Sequence, residues 1–206
     1  MVKSRFFYYT ISGDIDEIKS EIIRKAIHFL VALCPSMASV NKPFTVGFLI
    51  LGTLGYTFME YLRLSGVKVP VISSLTNMAS RSKDIGCFVM GPVTLGLGAL
   101  LALLLYPSPA AAIAIYALAF GDGVASLAGK FLGNLRPAFL CGKSVEGSIA
   151  CFIAVFISAY VVSGSIHISV MAAFTAMAIE ALPLEDYDNM AIPVTVGMVV
   201  QIASLW

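Results

Sequence analysis

The sequence predicts an all-α, polytopic transmembrane helical bundle of about seven spans, with its N-terminus inside and its C-terminus outside. Three observations predict it. First, apolar residues make up 59% of the 206 residues and charged ones 12%, against roughly 45–50% and about 25% in soluble domains, and mean hydropathy is +0.91. Second, the apolar residues fall into runs long enough to cross a bilayer. Third, the charges gather on one side of those runs. A soluble globule of this size could not cover so much apolar surface. A soluble enzyme, a disordered chain and a nucleic-acid-coating protein are therefore excluded, and 13 basic against 12 acidic residues give no global field to draw in nucleic acid.

Residues 1–20 carry charges of both signs, and no cleavable early apolar core is evident. They read as a cytoplasmic or interfacial segment, with Phe6-Phe7-Tyr8-Tyr9 as an aromatic anchor. Residues 21–206 read as a single integral-membrane domain. Its spans are expected at Ile22–Val40, Phe44–Leu62, Ile85–Tyr106, Ala110–Ala128, Gly147–Val162, Ile166–Leu182 and Met190–Trp206. Asn41-Lys42-Pro43, Pro107-Ser108-Pro109 and Ser163-Gly164-Ser165 supply short turns, while 63–84, 129–146 and 183–189 form longer polar loops. Pro92 predicts a kink in the third span. Gly47, Gly52, Gly55, Gly91, Gly96 and Gly98 predict close helix approach. The four cysteines lack metal-binding spacing and read as small buried hydrophobes.

With the N-terminus inside, 12 of the 13 basic residues fall on the inner side, and Lys42 alone lies outside. The positive-inside rule then sets the orientation. The acids follow the same side, which that rule does not require, so 24 of 25 formal charges gather at one face.

Four constellations at that face could carry chemistry. In Glu21-x-x-Arg24-Lys25-x-x-His28, Arg24 and His28 share a helix face and the two cations could clamp a polyphosphate. Positive-inside flanking accounts for Arg24 and Lys25 but not for His28, which sits inside the apolar run. In Gly121-Asp122-Gly123, Asp122 lies eight residues before Lys130, roughly 12 Å along a helix axis. A carboxylate that deep needs a cation, a metal or a wet cavity. Cys141-Gly142-Lys143-Ser144-Val145-Glu146 opens a span with backbone N–H groups beside a lysine, which suits phosphate, although the full P-loop pattern is missing. Glu180, Glu185, Asp186, Asp188 and Asn189 form an oxygen-rich cluster of the kind that suits Mg²⁺ with substrate phosphates. Together these are parts that phosphoryl transfer requires.

Arg24-Lys25-x-x-His28, Gly121-Asp122-Gly123-x-Ala125-x3-Gly129, Lys143-Ser144-x-Glu146-Gly147-Ser148 and Glu180…Asp188-Asn189-x3-Pro193 resemble, in this order, the family of dolichol kinases, phytol kinases and CTP-dependent diacylglycerol kinases. Asp84-x6-Gly91-Pro92 and Leu95-Gly96 resemble its middle region more weakly. The resemblance implies a membrane kinase that phosphorylates a lipid alcohol with CTP, the lipid coming from the bilayer and the active site facing the cytoplasm. It implies catalytic or nucleotide-binding roles for Arg24, Lys25, Asp122, Gly129, Lys143 and Glu146.

Residues and resemblance together lead to a definite expectation for the site. Asp122, His28 and Lys143 are catalytic, with Asp122 as base or metal ligand and His28 orienting a neighbouring group. Arg24, Lys25, Gly121, Gly123, Gly129, Lys143 and Ser144 hold nucleotide and phosphate. Asp122, Glu146, Glu180 and Asp188 hold Mg²⁺. No nucleic-acid partner is expected, and a homodimer is compatible. A phosphatidate cytidylyltransferase is the nearest enzyme alternative, though the Gly-His-Gly-Gly pattern associated with it is absent. A small transporter is the alternative of another class, and it would place ionisable groups along a path to both sides.

Overall fold

A computed structural model describes residues 18–67, 69, 70, 76, 78 and 86–205. The aromatic anchor Phe6–Tyr9, Lys3, Arg5, Lys68, Arg81, Lys83 and Asp84 lie outside these. The described residues form helices and no strand. Helix α1 covers 18–31 and α2 runs Cys34–Leu64. They are followed by α3 (Gly91–Leu105), α4 (Ala110–Tyr116), a π-helical turn (Ala117–Asp122) and α5 (Gly123–Phe131). The chain ends with α6 (Val145–Ser163), α7 (Ile166–Glu180) and α8 (Asp188–Ala203). Among the described residues, three helical stretches are long and apolar enough to cross a membrane: Cys34–Leu64, Ala110–Phe131 and Val145–Ser163.

Local chemistry explains most boundaries. The expected first span is broken at residues 32–33, because Pro35 in the first turn of α2 has no N–H to continue the ladder from α1. The expected turn at Asn41-Lys42-Pro43 appears as a break inside α2. Asn41 has φ −153° and ψ 94°, and its Oδ1 accepts from Phe44 N at 3.0 Å, so it acts as an N-cap for the second limb. Pro92 does not kink a span. It sits in the first turn of α3, where a proline N–H would have no partner anyway. Gly164 closes α6 in the left-handed region (φ +66°), and Ser165 caps α7 by accepting from Ile168 N.

The polarity of the interior is that of a bundle built for lipid. Its core is rich in small side chains: Ala99, Ala102, Ala114, Ala172, Ala173 and Ala176 are fully buried beside Ile113, Ile115, Leu118 and Ile192. Many other large apolar groups face outward, with Leu51 73% and Val161 78% exposed. Close backbone approach, rather than burial of bulk, is what holds helices together in hydrocarbon. The stretch Ala110–Phe131 is the axis. Ile113 and Ala117 pack into one cluster with α6, α7 and α8, while Ala111, Ala114 and Ile115 pack into another with α2 and α3.

A buried carboxylate fixes the start of α3. Glu60 is wholly buried. It accepts from Arg63 Nε at 2.8 Å and Nη2 at 2.7 Å, and from Val89 N at 3.0 Å. Arg63 also donates to the Cys87 carbonyl at 2.9 Å. The pair thus ties the end of α2 to the segment entering α3. Glu60→Gln is expected to cost about 1.5–3 kcal/mol, the range for a lost hydrogen bond to a charged group. The check is the thermal unfolding midpoint of purified protein, and an unchanged midpoint would count against the clamp.

Candidate active site

Helices α3, α6 and α8 begin at one end of the bundle, and Ala110–Phe131 and α7 return to it. There an open cavity of about 560 Å³ collects residues from six helices. From α1 come Arg24, Lys25 and His28; from α5 and the turn before it, Asp122, Ser126 and Gly129. Lys143 and Ser144 enter from the start of α6, Glu180 from the end of α7, and Asp188 and Asn189 from the start of α8.

Asp122 is the centre. It closes the π-helical turn, a form that recurs at functional sites because the extra residue re-aims side chains. Its carboxylate is 5% exposed, paired with Lys25 Nζ and 3.1 Å from His28 Nδ1, all through Oδ2. Among the described residues, its other oxygen, Oδ1, has only Ser126 Oγ at 3.5 Å. One oxygen therefore carries the charge balance that makes a buried carboxylate tolerable, and the other keeps accepting capacity in a residue that lines the cavity.

A second, partly buried pair lines the same cavity. Lys143 Nζ is 3.1 Å from Glu180 Oε1 and also donates to the Glu180 carbonyl, closing the C-terminus of α7. Cations at that position meet both the last carbonyls and the helix dipole. Glu180 Oε2 is buried and has no hydrogen-bond partner among the described residues. Asp188 is buried and within electrostatic reach of Asp122, Lys25 and Lys143. Among the described residues, no three carboxylate, histidine or cysteine groups stand close enough to hold a metal ion alone. Asp122, Glu180 and Asp188 nevertheless face one cavity, and a partnerless carboxylate oxygen among them fits a hard cation completed by waters and substrate phosphates.

Three of the expected site residues are placed otherwise. Gly121 and Gly123 do not line the cavity; they allow helix contact. A Cβ on Gly121 would meet Val155 Cγ2 at 2.8 Å, and one on Gly123 would meet the Phe29 ring at 2.7 Å. Glu146 turns away from the cavity and accepts from the backbone N–H groups of Asn134 and Leu135 at 3.0 and 3.1 Å. Ser144 lines the cavity and also caps α6, accepting from Gly147 N at 3.1 Å.

Sequence reasoning does not single out Arg136, whose only sequence signal is its charge in a polar loop; Glu21 and Lys130, which fall within the constellations of Arg24 and Asp122 without an assigned role, line the same cavity. Asn189 is legible as part of the acid cluster, but its bond from Nδ2 to Thr94 Oγ1 at 3.0 Å is not.

No family model and no solved structure matches the chain. It is 26% identical over 185 residues to an uncharacterized protein of Methanocaldococcus jannaschii, covering 87% of this chain and 92% of that one. It is 29% identical over 147 residues to a wheat (Triticum aestivum) protein described as a probable chloroplastic phytol kinase, covering 63% of this chain and 48% of that one. The chain thus spans about half the length of the wheat protein. The likeness is distant and partial, and it reaches a lipid-kinase-like group and nothing narrower.

Proposed function

We propose that the protein is a CTP-dependent membrane kinase that phosphorylates a lipid alcohol: a polyprenol or dolichol, a phytol-like alcohol, or diacylglycerol. In this reading it crosses the bilayer about seven times, N-terminus in and C-terminus out, with the cavity at the cytoplasmic face. The observation that carries the reading is Asp122. It is a buried carboxylate on an apolar helix, charge-balanced by Lys25, and it opens onto a cavity shared with Lys143, Glu180 and Asp188. Such a site meets a water-soluble donor from one side and a bilayer-dissolved alcohol from the other.

In the proposed reaction the alcohol oxygen forms a bond to the terminal phosphorus. The bond from that phosphorus to the bridging oxygen breaks, and CDP leaves with the electron pair. The hydroxyl proton passes toward Asp122 and on to water. Arg24, Lys25 and Lys143 hold phosphate charge, and His28 fixes the orientation of Asp122. Mg²⁺, where held by Glu180, Asp188 and Asp122 with the donor's phosphates, would neutralise charge on the transferring group.

The test is incubation of purified protein with mixed lipid alcohols, Mg²⁺ and CTP labelled at the alpha or gamma phosphate, with ATP in parallel, and mass spectrometry of the lipids. Gamma label alone on the lipid is expected. Alpha label on the lipid would indicate a cytidylyltransferase instead. Solute uptake into sealed vesicles without any phosphorylated lipid would indicate a transporter.

A further inference from the structure

We propose that Asn189 is a ligand of a divalent cation, its Oδ1 joining Glu180 Oε2 and the Asp188 carboxylate at the corner between α7 and α8, and that this corner holds the ion with waters before any nucleotide arrives. The proposal deepens the kinase reading above and rests on it only for the use made of the ion.

The amide of Asn189 is held in one orientation. The residue is 3% exposed, and its Nδ2 donates to Thr94 Oγ1 at 3.0 Å. Thr94 is itself buried near the start of α3, and its one hydroxyl hydrogen has the Gly91 carbonyl at 3.0 Å to go to, the back-bond typical of a helical threonine. The hydroxyl therefore presents a lone pair to Asn189, and only the amide NH₂ can answer it. That turns Oδ1 away from α3. It is buried and has no hydrogen-bond partner among the described residues. Buried polar atoms are nearly always satisfied, so an orphan acceptor on a side chain lining a cavity marks the place of a donor or a cation.

Charge decides between the two. Lys25 is matched by Asp122, and Lys143 by Glu180 through Oε1. Asp188 is buried and makes no ion pair among the described residues. Glu180 Oε2 is a second buried, partnerless oxygen. Unmatched oxygens thus come from the last residue of α7 and the first two of α8. A neutral donor would satisfy Oδ1 and leave the charge of Asp188 uncompensated. A cation answers the orphan oxygens and the surplus charge together, and the carboxyl end of α7 adds the negative pole of its dipole. Oxygen donors select hard divalent ions of the Mg²⁺ type. Among the described residues no three carboxylate, histidine or cysteine groups converge; here the third donor is an amide. Asp122 competes poorly for the same ion, because its Oδ2 already meets Lys25 and His28. It has only Oδ1 to add once the donor's phosphates are present.

The test is titration of the full chain in detergent with Mn²⁺, without nucleotide or lipid, followed by the electron paramagnetic resonance of free Mn²⁺. Wild type should bind Mn²⁺ and release it to Mg²⁺. Asn189→Ala and Glu180→Gln should each weaken binding at least about tenfold. Asn189→Asp, which keeps an oxygen at that place, and the double variant Lys25→Met with Asp122→Asn should stay within about threefold of wild type or bind more tightly. The thermal midpoint of wild type should rise on adding Mg²⁺, and that of Asn189→Ala should not. No Mn²⁺ bound by wild type overturns the proposal. So does wild-type affinity in Asn189→Ala, or an Asn189→Asp protein as weak as Asn189→Ala. Glu180→Gln carries the test should Asn189→Ala fail to fold without its bond to Thr94. Cation binding with this pattern stands even where no lipid alcohol is phosphorylated. A protein that phosphorylates lipid but binds no Mn²⁺ without nucleotide keeps the kinase reading and overturns this one.

Discussion

Asp122→Asn is expected to lower lipid-alcohol phosphorylation by about 10²–10⁴-fold, the range for a group that handles the transferred proton. The substitution keeps the shape and removes the charge. It also leaves Lys25 buried without its counter-ion, and removing one partner of a buried pair costs about 3–5 kcal/mol. A loss of activity alone would therefore not separate chemistry from folding. Lys25→Met combined with Asp122→Asn does. Neutralising both partners removes the unpaired charge, so the double variant should regain most of the thermal midpoint lost by Asp122→Asn while staying inactive. Recovery of activity together with stability would make the pair structural. Wild-type turnover in Asp122→Asn would remove the centre of the proposed mechanism.

That pair also shows where sequence reading stops. The depth of Asp122 in an apolar run demands a compensating cation, and this follows from composition and helical rise alone. Which cation answers the demand does not, because Lys25 is 97 residues away and only the packing of α1 on α5 selects it. The four charged constellations are legible as inner-face features because the lipid leaves charges few places to go. Their convergence in one cavity follows from the alternating direction of α3, Ala110–Phe131, α6, α7 and α8. Glu146 and Glu180 look alike in sequence as acidic residues at span ends. Only backbone geometry shows one binding N–H groups of its own loop and the other facing the cavity. Arg136 looks like any cation of a polar loop. Pro92, expected to kink a span, does not, while Pro35, which carries no expectation in sequence, breaks the expected first span: a proline's effect depends on whether the residue four before it already belongs to a helix.

Gly98→Ala is expected to be the most damaging single-methyl change in the bundle. A Cβ there would collide with the Asn189 carbonyl oxygen and lie 3.0 Å from its carbon and 3.2 Å from Pro193 Cγ. Two of these atoms are backbone and the third belongs to a ring, so no flexible side chain can yield. The close approach has a cause in sequence. Pro193 has no N–H to offer the carbonyl four residues earlier, which is that of Asn189. That carbonyl therefore stands without its helical donor, and a glycine on α3 can come against it, as small-residue contacts allow in membrane bundles. Adding the methyl must push α3 from α8 at the level where Asn189 bonds Thr94 and where Asp188 enters the cavity. Overpacking commonly costs about 1–3 kcal/mol, and this contact, being with backbone, should reach the upper end or beyond. Gly47→Ala is the control. Nothing lies within 4 Å of the place its new methyl would take, and replacing a mid-helix glycine by alanine usually gains roughly 0.5–1 kcal/mol. Thermal unfolding of the purified variants in one detergent should therefore move in opposite directions, with kinase activity falling in Gly98→Ala alone. A Gly98→Ala protein as stable as wild type would mean that α3 and α8 are not held at this distance, and the position assigned to Asp188 and Asn189 at the cavity would fall with it.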